Sequence, residues 1–157
     1  MKKSKFIYIL VLFVIFLVSC NAAPKSEWEL SVSGSVNEPF SLTYKELSEM
    51  PQLTLDDVFM DKSVGDDETG SWSGVAVEEL LARADSVSDY MTVTAIAADG
   101  YAIEISKDEL SGSFVALKEN GEWISKSDPE HGPIRLVCPE TPANRWVFQL
   151  VELQVNK

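Results

Sequence analysis

The sequence predicts an α+β domain, mainly β with short helices. Three observations carry this. Short stretches of alternating apolar and polar residues recur from Trp28 onward, as half-buried strands require when successive side chains point to opposite faces. Two turn signatures, Ala98-Asp99-Gly100 and Asn120-Gly121, lie between such stretches and suit the positive φ of tight hairpins. Only two or three stretches have helical spacing, and all are short.

The elements follow in order. Trp28, Leu30 and Val32 alternate with Glu29, Ser31 and Ser33, which makes the opening segment a strand with one buried face. Asn37-Glu38-Pro39 turns the chain, and Phe40-Ser41-Leu42 continues it. Thr43 is an N-cap with Glu46 three residues on, the spacing of a capping box. That helix stops at Pro51, because proline pushes the residue before it out of the helical region. Residues 53–60 read as a strand and 61–71 as a polar, Gly-containing loop, and 77–84 has the spacing of a short amphipathic helix. Residues 93–96 and 101–105 form one hairpin, and 114–118 with Trp123-Ile124 form a second. The chain closes on strands over 134–138 and 147–155. No internal repeat or low-complexity tract interrupts this order.

The N-terminus has a different character. Lys2, Lys3 and Lys5 precede an apolar run from Phe6 to Val18, the order of a secretory leader. The run is shorter than the roughly 20 residues a spanning helix needs, and it ends in Leu17-Val18-Ser19-Cys20, which reads as a lipobox. The expectation is a signal peptide over 1–19, a lipidated cysteine and tether over 20–27, and one domain over 28–157. Cys20 then carries the acyl chains that hold the protein on the outer side of a membrane, in the cell envelope.

Removing the leader takes three lysines from 13 basic residues and none from 25 acidic ones, so the net charge moves from −12 to −15. Such a surface as a whole repels phosphate backbones and anionic lipid head groups. No nucleic-acid partner is expected, and the acidity serves solubility. With Cys20 acylated only Cys138 is left as a thiol, which excludes a disulfide framework. One histidine in the whole chain leaves a Ser-His-Asp hydrolase or an imidazole metal site without support. The acidic run 61–68 lacks the ligand spacing of an EF-hand loop and reads as a solvated loop. Trp28, Trp72, Trp123 and Trp146 read as core.

A series of short motifs gives a more specific reading. In order they are Leu30-Ser31-Val32-Ser33-Gly34 with Asn37-Glu38-Pro39, Leu42-Thr43-Tyr44-Lys45-Glu46-Leu47 running into Met50-Pro51-Gln52, and Trp72-Ser73-Gly74-Val75 followed by Glu79-Leu80-Leu81. Then come Ala98-Asp99-Gly100-Tyr101, the stretch 116–122, and His131-Gly132-Pro133-Ile134-Arg135-Leu136-Val137 before Pro139. The series resembles the molybdopterin-binding domain of the sulfite oxidase family over nearly all of residues 28–157. The resemblance implies that family's compact α+β fold, with a cleft that holds the pterin.

The same resemblance implies a cysteine at the end of the strand after the Pro-Gln pair, where a soft thiolate ligates molybdenum. This chain has no cysteine over 54–61, and Asp61 stands nearest that place. The family's catalytic tyrosine is missing from the segment after Pro139, and Phe148 stands where a lysine would face the cofactor. His131 and Arg135 survive as candidate cofactor-binding residues, with spacing one residue shorter than His-Gly-x-Pro-x-Arg. Gly132-Pro133 either retains anion binding or simply turns the chain into a core strand. Cys138 lies inside an apolar strand, where a free cysteine acts as a small hydrophobe. No catalytic residue and no metal ligand is assigned.

Two functions remain from these residues. One is a non-catalytic module that binds a small anionic ligand or a partner protein, with no cofactor. The other is a molybdopterin-dependent oxidoreductase whose metal is completed by another group. Arg135 is expected to offer a small phosphate or carboxylate a planar charged fork.

Overall fold

The computed structural model describes residues 22–157 of the 157-residue chain, so Cys20 and the leader lie outside the described residues. The domain opens with β1 (Glu29–Gly34), β2 (Phe40–Thr43) and helix α1 (Tyr44–Glu49), then β3 (Leu53–Met60), β4 (Glu68–Ala76) and helix α2 (Val77–Arg83). Strands β5 (Thr92–Ala97), β6 (Ala102–Ser106), β7 (Phe114–Glu119) and β8 (Glu122–Trp123) follow. Helix α3 (Ile124–Ser127), β9 (Arg135–Val137), a 3-10 turn (Ala143–Arg145) and β10 (Leu150–Asn156) complete it. This is the mainly β architecture with three short helices that the alternating pattern predicts.

Two sheets share one core. The first runs β2-β1-β10-β5-β6, and the second runs β3-β4-β7-β8 with β9 also on β7. β1 lies parallel to β10, Val32 opposite Leu153, so the two ends of the domain are paired directly. Trp28 reinforces that closure by donating its Nε1–H to the Leu150 carbonyl at 2.7 Å. Leu30, Val93, Ala95 and Leu153 from the first sheet join Trp72, Val75, Val115 and Leu117 from the second in a single buried cluster. At about 1.5–3 kcal/mol for each large side chain removed from water, that cluster holds the fold, and among the described residues there is no disulfide.

Local rules explain most boundaries. Thr43 Oγ1 accepts the Glu46 N–H at 3.2 Å while the Glu46 carboxylate accepts the Thr43 N–H at 2.9 Å, so the capping box is formed. Gly74 has a tertiary reason: a Cβ there would lie 2.0 Å from the Val115 carbonyl oxygen, where β4 shifts register against β7.

Three expectations need correction. Residues 68–71 are strand, because Met60 pairs with Glu68 and Phe59 with Thr69 across a β3–β4 hairpin whose sequence is too polar to suggest one. Ile124 begins α3 rather than extending β8. The last strand starts at Leu150, because Gln149 has φ of +49° and Val147 instead bridges to Leu136.

Candidate functional site

The segment from α3 to β9 builds the site. The Asp128 carbonyl accepts the Gly132 N–H at 2.8 Å and the His131 N–H at 3.3 Å, folding the chain back on the end of α3. A side chain at Gly132 would meet the Asp128 carbonyl and Ile124 Cγ2, each at 2.9 Å, so glycine is required for that close return. The strand that follows pairs with β7, Arg135 opposite Ala116.

His131 and Arg135 do come together, through a residue that sequence reasoning missed. The Asp128 carboxylate accepts from His131 Nδ1 at 3.0 Å and also from Arg135 Nη2. Arg135 Nη1 donates to Glu119 at 3.3 Å. The guanidinium is sandwiched between Phe148, 4.7 Å from the ring centre, and Trp72, at 5.5 Å. Arg135 is 4% exposed, and its Nε and Trp72 Nε1 are buried without a protein hydrogen-bond partner. Burial raises Glu119 above the ordinary carboxylate range, against the pull of Arg135 and with a further push from Asp128. Burial acts the same way on Asp128, but there the His131 hydrogen bond and the Arg135 charge outweigh it and hold the carboxyl low. The i, i+3 spacing of Asp128 and His131 was a readable hint. Nothing local marks Glu119.

A cleft of about 440 Å³ lies beside this cluster, lined by Asp99, Tyr101, Glu130, His131, Asn144 and Phe148 among others. His131 lines it directly, its ring 5.5 Å from that of Phe148. Arg135 does not, because Phe148 covers the guanidinium and two carboxylates occupy its terminal nitrogens. An anion entering the cleft meets Asp99 and Glu130 and no lysine or arginine. A larger groove, about 890 Å³, is formed by residues 22–27 with α1, Lys118 and Trp123 and contains neither His131 nor Arg135. Of the two candidate residues, His131 lines the smaller cleft.

The donor set does not fit a thiolate-bound molybdenum. Asp61 is exposed at the end of β3, and its carbonyl accepts the Ala143 N–H at 3.0 Å, so the place expected for the thiolate adjoins the loop that lines the cleft and carries a carboxylate. Cys138 is fully buried, and burial above all pushes its thiol up to about 11. It lies one residue past the end of β9, and its carbonyl is held by Trp146 Nε1 and Thr141 Oγ1, both at 3.0 Å. No group of three or more His, Cys, Asp or Glu side chains converges as a metal site among the described residues. In the acidic loop, Asp67 caps the Lys62 N–H at 3.0 Å and Lys62 pairs with Glu68 at 2.6 Å.

Comparison with known proteins agrees with this architecture. The chain is 25% identical over 182 residues to nitrate reductase [NADH] of Volvox carteri, an alignment that covers 92% of this chain and 21% of that protein. The structure superimposes on the sulfane dehydrogenase SoxCD of Paracoccus pantotrophus with a TM-score of 0.74 and 23% identity, covering 86% of this chain and 40% of that one. The chain thus spans about a fifth of the first relative and two fifths of the second. The family model of the oxidoreductase molybdopterin binding domain matches residues 18–157. On that match, this chain belongs to the oxidoreductase molybdopterin binding domain family.

Proposed function

We propose that the protein is an envelope lipoprotein whose molybdopterin-binding-type domain acts as a non-catalytic binding module. One observation carries this reading: no cysteine lies over residues 54–61, where the family resemblance implies the metal thiolate and Asp61 stands nearest, and Cys138 is buried in the core with its thiol held protonated. Hard carboxylate oxygen does not reproduce the donation of a soft thiolate. The cleft has aromatic walls, and its carboxylates favour a neutral or cationic planar ligand over an anion. His131, steadied by Asp128, is the residue proposed to contact that ligand. Arg135 positions Asp128 and backs Phe148 from behind.

The test is elemental and pterin analysis of protein produced in a host that makes molybdopterin, with an assay of sulfite- and sulfoxide-dependent electron transfer. The expected result is molybdenum far below one atom per chain and no turnover. Near-equimolar molybdenum with pterin fluorescence after oxidation returns the protein to the oxidoreductases. Thermal-shift screening addresses the ligand: planar heterocycles should stabilise the protein and lose that effect in His131→Ala. Stabilisation by phosphate or simple carboxylates, lost in Arg135→Ala, would instead restore the small-anion site expected from the sequence.

A further inference from the structure

The first sheet has two edges of opposite chemistry. At one edge β2 leads into α1, and Lys25, Lys45 and Lys118 line the large groove there. At the other, the turn between β5 and β6 presents Asp99 and Tyr101 to the aromatic cleft. Four strand spacings separate those edges by about 19 Å. The groove holds three lysines against Glu27 and Glu49, while the cleft holds Asp99 and Glu130 with no lysine or arginine.

Most other cations are already engaged. Lys62, Arg145 and Lys157 each sit within 2.9 Å of a carboxylate, and Arg135 is buried between two. Lys107, just after β6, donates to the Ser88 carbonyl and lies over Tyr90. The Lys45–Glu49 pair is long, 3.7 Å, and both side chains are more than 60% exposed, so it holds the lysine weakly. Arg83 lies over Phe40 and, within the groove, Lys118 lies over Trp123; three of the ten basic residues of the −15 domain line the groove and none lines the cleft. Ala22, the first described residue, lines that same groove, and Cys20 precedes it by two residues, at most about 7 Å of extended chain.

We infer that the α1 edge, with Lys25, Lys45 and Lys118, rests on the anionic headgroups of the membrane that holds the lipid anchor, and that the aromatic cleft faces away from it. This rests on the lipoprotein reading. The physical basis is twofold: the tether delivers the groove to the bilayer surface, and the surface potential attracts lysines while repelling the acidic cleft. The cleft is then open to a soluble ligand on the side remote from lipid.

The test uses the full chain, lipidated in cells and reconstituted in phosphatidylcholine vesicles with or without phosphatidylglycerol. Acyl labelling of Cys20 reports anchoring. A fluorophore on Ser48→Cys or Tyr101→Cys reports orientation through quenching by headgroup-labelled lipid, and urea midpoints confirm that both variants fold. Quenching at position 48 should exceed that at 101 at least fivefold with phosphatidylglycerol present, about the effect of one lysine near such a surface. The contrast should fall in Lys25→Glu/Lys45→Glu while the acyl label is unchanged. Equal quenching at the two positions, or stronger quenching at 101, with the label intact overturns the orientation alone. Absence of the label, with protein that stays off vesicles of either composition, overturns the lipoprotein reading and the orientation with it.

Discussion

Arg135→Met tests whether the buried guanidinium is an internal strut. The substitution keeps a long flexible side chain but removes two charge-assisted hydrogen bonds, to Glu119 and Asp128, and the contacts with Trp72 and Phe148. Such bonds contribute about 1.5–3 kcal/mol each, and the lower figure applies because the Glu119 and Asp128 side chains are 25% and 34% exposed. Adding about 0.5 kcal/mol per cation–π contact and subtracting roughly 1 kcal/mol for apolar burial of methionine leaves about 3 kcal/mol at pH 7. That corresponds to about 10 °C in Tm for a domain of this size.

The loss should depend on pH, with a definite sign. Glu119 is raised by burial, so its contribution is fullest below its unfolded value near ~4.3 and declines as pH rises through the folded value. Removing Arg135 raises that carboxyl further and deepens the decline. Asp128 is held low partly by Arg135, so its stabilisation, present above about 3.9 and lost as pH falls through the folded value, shrinks in the variant. Both effects make the deficit larger at pH 7 than at pH 4.5. Urea unfolding followed by tryptophan fluorescence at the two pH values measures it. An equal deficit at both, or none at pH 7, would refute the strut.

Further outcomes are expected at four residues. Cys138 should be silent to thiol reagents at pH 8 in the folded protein and react on addition of urea, since its thiol is pushed from 9.0 to about 11 by burial first of all. A raised value means stability intact below pH ~9 and lost as pH rises through about 11, so the urea midpoint should fall over that window in wild type and stay flatter in Cys138→Ala. Gly74→Ala should cost more than about 3 kcal/mol or prevent folding, because its Cβ would lie 2.0 Å from the Val115 carbonyl. Gly100→Ala, with open space around it and φ of +87°, should cost only about 1 kcal/mol by the same urea assay. Cys20→Ser should abolish acyl labelling and leave the precursor unprocessed or released on membrane fractionation.

What could be read from the chain was local or carried by motif order. The Thr43 and Glu46 capping box and the turns at Gly100 and Gly121 depend on contacts among near neighbours, and the ordered motifs pointed to the family now matched over residues 18–157. An alternating pattern states which face of a strand is buried, not which strand lies beside it. The parallel pairing of β1 with β10 across the whole domain was therefore invisible, as was the approach of Val115 that makes Gly74 obligatory. The site divides in the same way. His131 and Arg135 could be picked out as residues, but the partners of Arg135 lie 7 and 16 positions away, brought to it by the turn after α3 and by the pairing of β9 with β7. Whether a guanidinium faces a ligand or serves as an internal strut depends on which carboxylates the completed fold carries to it. Here two do, and Phe148 lies over its face.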